Sequence, residues 1–146
     1  MRPTTLSIGT ISHGTMRPED LIPELVYHLN TLHLSKNERL KLSRIQRDMN
    51  HQGYFESEDS EIDLNETLWE MMNNHCPRMC YFASSEGDGS DYGVWPIVDD
   101  DDQIRLNDPS ELATCGDNTA YVVNDHGNVS YYVKHGSRWI CEWSVV

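Results

Sequence analysis

Three observations predict an α+β fold: two or three N-terminal helices packed on a mostly antiparallel β-sheet, with a C-terminal three-stranded meander. Apolar residues recur at helical spacing across residues 15–76. From residue 78 onward they give way to short runs rich in Val, Tyr, Trp and Ile, as strands require. The last three runs, 119–124, 129–134 and 138–146, are separated by turns containing Gly127 and Gly136, the signature of a meander. The expected organisation is one domain over 1–146, with a helical portion at about 15–76, a sheet portion at about 78–146 and an acidic loop at about 54–62.

In chain order, Leu6 to Ile11 alternate loosely and suit a short strand at a sheet edge, followed by a turn at Ser12-His-Gly-Thr15. A first helix follows. Thr15 or a neighbour serves as its N-cap, Pro18 suits its first turn, and Glu19 and Asp20 complement the positive end of its dipole. Leu21, Leu25, Leu29 and Leu32 form its apolar stripe, widened by Ile22 and Val26, and Pro23 should bend it or delay its start. Ser35-Lys-Asn-Glu38 is a capping box opening a second helix, with Leu42, Ile45 and Met49 inward and Gly53 as its stop. Asp63-Leu-Asn-Glu66 reads as another capping box, opening a third helix that Pro77 ends. Strands are expected at 78–83 and 92–98, with a brief pairing at 103–106. Pro96 implies an edge or a bulge. In the last strand, alternation places Trp139, Cys141 and Trp143 on one face and Arg138, Ile140, Glu142 and Ser144 on the other.

Only 38% of residues are hydrophobic, a deficit partly offset by four Trp and seven Tyr, which bury much area each. No stretch reaches the ~18–20 apolar residues a membrane span needs. The first residues lack the apolar core of a signal peptide, so the expected setting is cytoplasmic. Four cysteines in such a setting read as free thiols, and their spacing has no paired C-x-x-C knuckle for zinc. The informative quantity is charge. The formal net charge is −13, and residues 51–110, with two Lys/Arg against fifteen Asp/Glu, carry the equivalent of all of it. A field so focused attracts basic surfaces and repels nucleic acid and anionic membranes, so direct binding to either is disfavoured.

The phrase Ile11-Ser-His-Gly-Thr-Met-Arg17 leading into Asp20-Leu-Ile-Pro23, with Val123-Asn-Asp-His-Gly-Asn-Val129 and the terminal Trp143-Ser-Val-Val146, resembles a family of small proteins of phages and other mobile elements. These phrases cover about a fifth of the chain, and the acidic middle lies outside them. The resemblance carries no activity and no catalytic residue across. It implies a context, a small accessory protein of a mobile element, where inhibitors of host defence are common.

The candidate partner-binding residues are Glu56, Glu58, Asp59, Glu61 and Asp63 together with Asp99, Asp100, Asp101 and Asp102. Duplex DNA carries one charge per about 1.7 Å of axis, and an acidic ridge of similar density can occupy a groove built for phosphates. The competing reading is a solvated loop and turn that only aid solubility. Segregation of sign favours the ridge, because a merely solubilising surface would mix charges. The expected partner is therefore a basic nucleic-acid-binding host protein, as for an anti-restriction or anti-CRISPR inhibitor, with no catalysis, metal or cofactor. The alternative is a small metal-dependent hydrolase or ligand-sequestering protein. It would use the turn residues His13, His126, His135 and Asp125, although no HExxH, Walker A or nucleophile-elbow motif fixes their geometry. Asp88, Ser90, Gly93 and Asp99 match part of a calcium loop, but Tyr92 stands where an oxygen ligand belongs, so a hairpin turn fits better. A third possibility makes the basic helix at 36–51 the contact surface. Tyr131, Tyr132, Trp139 and Trp143 read as core rather than as a stacking platform for single strands.

Overall fold

A computed structural model describes all 146 residues, Met1–Val146. The fold is α+β with four α-helices and two sheets, where the sequence suggested one sheet and at most three helices. The chain divides into two compact units, residues 1–96 and 97–146. No helix is long and apolar enough to cross a membrane.

In the first unit, strand β1 (Gly9–Ser12) precedes helix α1 (Pro18–Asn30). Pro18 opens the helix, where its missing N–H costs nothing, and Arg17 rather than Thr15 occupies the N-cap position. Thr15 still contributes, since its hydroxyl donates to Asp20 Oδ2 at 2.6 Å and accepts from the Arg17 N–H. Pro23 lies inside the helix without delaying its start. Leu21, Ile22, Leu25, Val26 and Leu29 are buried, as their spacing requires. Helix α2 (Lys36–Asp48) begins at the expected box: Ser35 Oγ accepts from the Glu38 N–H, and Glu38 Oε1 accepts from the Ser35 N–H. It ends at Met49, so Gly53, with φ +83°, serves the turn beyond it and is not the stop.

The expected acidic loop is helical from Glu58. Ser57 Oγ accepts from the Ser60 N–H and caps helix α3 (Glu58–Ile62), which runs into a π-helical segment (Asp63–Leu68) and helix α4 (Trp69–Asn74). Asp63 is thus inside a helical run and is not its cap. Strands β2 (Cys80–Ser85) and β3 (Asp88–Pro96) form a hairpin, and the sheet order is β1-β3-β2, antiparallel throughout. The hairpin turn is shorter than the sequence implied, so β3 starts at Asp88. Trp69 packs edge-on to Phe82 at 4.8 Å and ties α4 to the sheet. Asn73 secures the same contact, with Oδ1 accepting from the Phe82 N–H at 2.9 Å and Nδ2 donating to its carbonyl. These bonds occupy backbone groups on the edge strand β2, which would otherwise be open to pairing. One core joins the helices to this sheet, from Leu6 through Met72 to Phe82 and Val94.

In the second unit, strand β4 (Ile104–Leu106) runs parallel to β5 (Thr119–Val123), joined by a crossover containing a 3₁₀ helix (Pro109–Thr114). Strands β6 (Val129–His135) and β7 (Arg138–Val145) complete the sheet in the order β4-β5-β6-β7, so the expected meander is present. Leu112 of the 3₁₀ helix covers Ala120 and Val122, with Leu106, Tyr132 and Trp139 around them. The opposite face carries Tyr121, Tyr131 and Trp143, the last two stacked at 5.6 Å. The faces of β7 differ from simple alternation. The register shifts between Tyr131↔Trp143 and Tyr132↔Cys141, leaving Glu142 as an extra residue. That bulge separates Trp143 from Trp139 and Cys141 and returns it to the Tyr131 face.

Candidate functional site

The nine predicted acidic residues fall into two groups, one in each unit. In the first, Glu58, Asp59 and Glu61 occupy the opening turn of α3, where carboxylates oppose the positive end of the helix dipole, and Glu56 immediately precedes it. All four are exposed. The turn is tied down by Ser60, which is fully buried and donates to the Ser57 carbonyl at 2.8 Å and the Phe55 carbonyl at 3.2 Å. None of the four carboxylates has a cation within ion-pair distance. Asp59 also lines a concavity of about 250 Å³ with Asp48, His51, Tyr54 and Ser57.

Asp63 is withdrawn from this group. It is 3% exposed, and its carboxylate is occupied: Arg44 Nη2 donates to Oδ1 at 2.7 Å, Arg44 Nη1 to Oδ2 at 3.1 Å and the Tyr54 hydroxyl to Oδ2 at 2.8 Å. Arg44 also reaches Asp48 at 3.1 Å. Donating to Asp63 raises the Arg44 guanidinium pKa further. Burial, then the bond to Asp63, pushes that of the Tyr54 hydroxyl up as well. With its oxygens filled by donors from its own chain, Asp63 holds α2 to the helical run and has nothing left for a partner.

In the second unit, Asp99 to Asp102 form a defined turn. Asp100 Oδ1 accepts from the Asp102 N–H at 2.9 Å and the Asp100 carbonyl accepts from the Gln103 N–H, so Asp100 shapes the backbone. Arg105 donates to the Val98 carbonyl and lies over the Tyr121 ring at 5.1 Å, while the Tyr121 hydroxyl donates to the Ile97 carbonyl. Asp99, Asp101 and Asp102 are left exposed, again without an ion-pair partner.

The other candidates are scattered or engaged. His126 sits in the β5–β6 turn, where its N–H donates to Asn124 Oδ1, and His135 Nε2 lies 3.7 Å from Glu142. No group of three or more His, Cys, Asp or Glu converges to hold a metal ion. Asp88 accepts from the Ser90 N–H and hydroxyl at the start of β3, the hairpin geometry rather than a calcium loop. Burial raises the thiol pKa of Cys76 to about 11 and, with Cys76 nearby, that of Cys80 to about 12, so both are protonated and poor nucleophiles at neutral pH.

A concavity of about 450 Å³ opens in the first unit, lined by Ser12, His13, Thr15, Glu19, Asp20 and Glu24 with Ile11. Its charged groups are matched internally: Glu19 by Arg17, Asp20 by Thr15, Glu24 by His28 at 3.7 Å, and His13 by Asp88 at 3.3 Å. The only sequence signal for it was the acidic first turn of α1, which helix capping already explained. Comparison with protein-family models, characterised proteins and solved structures finds no match.

Proposed function

We propose that this protein is a non-catalytic acidic interaction protein that binds a basic, nucleic-acid-handling protein, as a mobile-element inhibitor of host defence of the anti-restriction or anti-CRISPR type. The observation that carries this reading is the set of exposed carboxylates without cation partners: Glu56, Glu58, Asp59 and Glu61 in one unit, Asp99, Asp101 and Asp102 in the other. Other exposed carboxylates, such as Glu66, Glu70, Glu86 and Asp125, also lack a cation partner, but they stand singly along the chain, whereas these seven gather within residues 56–61 and 99–102. Carboxylates left crowded and unmatched repel one another, a cost that complementary charge on a partner would offset.

Spacing supports the same reading. Three carboxylates fall within residues 58–61 of α3. At about 1.5 Å rise per residue that segment approaches the one charge per ~1.7 Å of duplex DNA. The mobile-element context rests on the phrases at the two ends of the chain.

The test is capture from a bacterial host lysate with the immobilised protein, read by mass spectrometry, beside a variant carrying Asp99→Asn, Asp101→Asn and Asp102→Asn. Asp100 is kept because it shapes the turn. A nuclease or other nucleic-acid-binding protein should be captured at low salt, released as salt rises, and held about tenfold less tightly by the variant, about 1.4 kcal/mol over three exposed charges. Capture that survives both high salt and the triple change would overturn the reading. An empty capture at low salt would favour the alternative, a small metal-dependent hydrolase or ligand-sequestering protein using the turn His and Asp residues, of which His13 lines the concavity beside α1.

A further inference from the structure

We infer that the open edge of β7 pairs with β7 of a second copy of this chain, antiparallel and centred on Ile140. β7 is the last strand of its sheet, eight residues long and without Pro, and the side-chain bond recorded on its backbone, from the Cys141 thiol to the Trp143 carbonyl, lies beyond the Trp139–Cys141 stretch. Ile140 is 45% exposed, and Arg138, Cys141 and Glu142 are exposed beside it.

The hairpin fixes which backbone groups are free. His135 pairs with Arg138 across the two-residue loop Gly136-Ser137. The closing pair of such a loop is hydrogen-bonded, so Arg138 and Ile140 turn their N–H and C=O toward β6, and Trp139 and Cys141 turn theirs toward the open side. An antiparallel ladder must join outward groups to outward groups, which restricts self-pairing to registers centred on a residue.

Centred on Ile140, Trp139 lies opposite Cys141 of the second copy with both backbones available. Ile140 meets Ile140, and Arg138 meets Glu142 in both directions, competing there with His135 of the same chain, whose Nε2 lies 3.7 Å from the Glu142 carboxylate. Centring on Trp139 sets Arg138 against Ile140 instead. Centring on Cys141 sets Ile140 against Glu142. Only the Ile140 register matches apolar to apolar and cation to anion, and charge complementarity therefore selects a second copy as the occupant. Ile140 shares its face with the buried Val133, so the contact extends an apolar surface the sheet already has. The bulge at Glu142 ends the regular ladder there and limits assembly to this one short seam.

The test is sedimentation equilibrium at about 0.15 M ionic strength, where the mutual repulsion of the acidic copies is screened beyond ~8 Å. A monomer–dimer equilibrium is expected, lost in Ile140→Lys and weakened about tenfold in Arg138→Glu and in Glu142→Arg. The double swap Arg138→Glu with Glu142→Arg should restore it, which a folding defect would not do. In a Cys141→Ser background, Ile140→Cys should form an intermolecular disulfide with an added thiol oxidant, since residues facing across a non-hydrogen-bonded pair have Cα atoms about 4.5 Å apart. A monomer at every concentration, or a dimer indifferent to Ile140→Lys and to both charge changes, overturns the proposal.

Discussion

Asp63 accepts three hydrogen bonds from Arg44 and Tyr54 while almost wholly buried, and the cost of losing it can be apportioned. The Arg44 side chain is 42% exposed, so water can resolvate the guanidinium once its partner is gone. The Tyr54 residue is only 6% exposed and has no such recourse. Asp63→Ala should therefore destabilise the first unit by about 2–3 kcal/mol, most of it from the stranded hydroxyl. Adding Tyr54→Phe to that variant should recover part of the loss, because the unsatisfied donor goes with it. Urea denaturation of the single and double variants measures both; a loss under about 1 kcal/mol for Asp63→Ala would mean water replaces the carboxylate at little cost. The same residue marks a limit of reading from sequence. Asp63-x-x-Glu66 and Ser35-x-x-Glu38 are the same local signature, yet only the second is a capping box. Asp63 is claimed by Arg44, nineteen positions away, and no local pattern reports a partner at that distance.

At the level of elements, the same division between local and distant causes holds. Helix α1, helix α2 and the β5–β6–β7 meander were legible, because periodicity, caps and glycine turns act over a few residues. The partition of strands into two sheets was not, since β1 pairs with β3 across some eighty residues, and nothing in either segment names the other. Nor was the bulge at Glu142, which reversed the expected faces of β7. Of the candidate site, exposure of the acidic groups was legible from composition, whereas the loss of Asp63 and the shaping role of Asp100 depended on tertiary partners. Gly93 shows such a hidden constraint in energetic form. A Cβ there would lie 2.5 Å from the Gly9 carbonyl oxygen and 2.7 Å from the Trp95 ring. The first contact is with backbone on β1 and cannot move aside cheaply. Gly93→Ala should force β1 off the sheet edge and destabilise the first unit by about 1–3 kcal/mol, the usual range for overpacking. Hydrogen exchange would show it as faster opening at Thr10 and Ser12, β1 residues paired to β3, with β2–β3 less affected. Equal acceleration across all three strands would mean that Trp95, not β1, takes up the strain.

Across the whole chain the dominant physical fact is the net charge of −13, and it bears on stability as well as binding. In the second unit, nine Asp/Glu stand against Arg105, Lys134 and Arg138, and Asp99, Asp101 and Asp102 crowd into one turn without an ion-pair partner. Their repulsion is a standing cost in the folded state, relieved when the chain unfolds and the charges separate. Replacing the three by Asn should therefore stabilise the second unit, by on the order of 1 kcal/mol at low ionic strength. The gain should fade as salt is added, because the screening length falls from about 10 Å at 0.1 M to about 3 Å at 1 M. Urea is the denaturant to use, since guanidinium is itself a salt and would mask the effect. Together with capture from lysate, this measurement separates the two explanations for the acidic turn. If the variant gains stability and loses its partner, the carboxylates are kept at the expense of the fold because binding needs them, the trade expected of an interaction surface. If it gains stability and still captures the same partner, the turn is a solvated surface and the contact lies elsewhere.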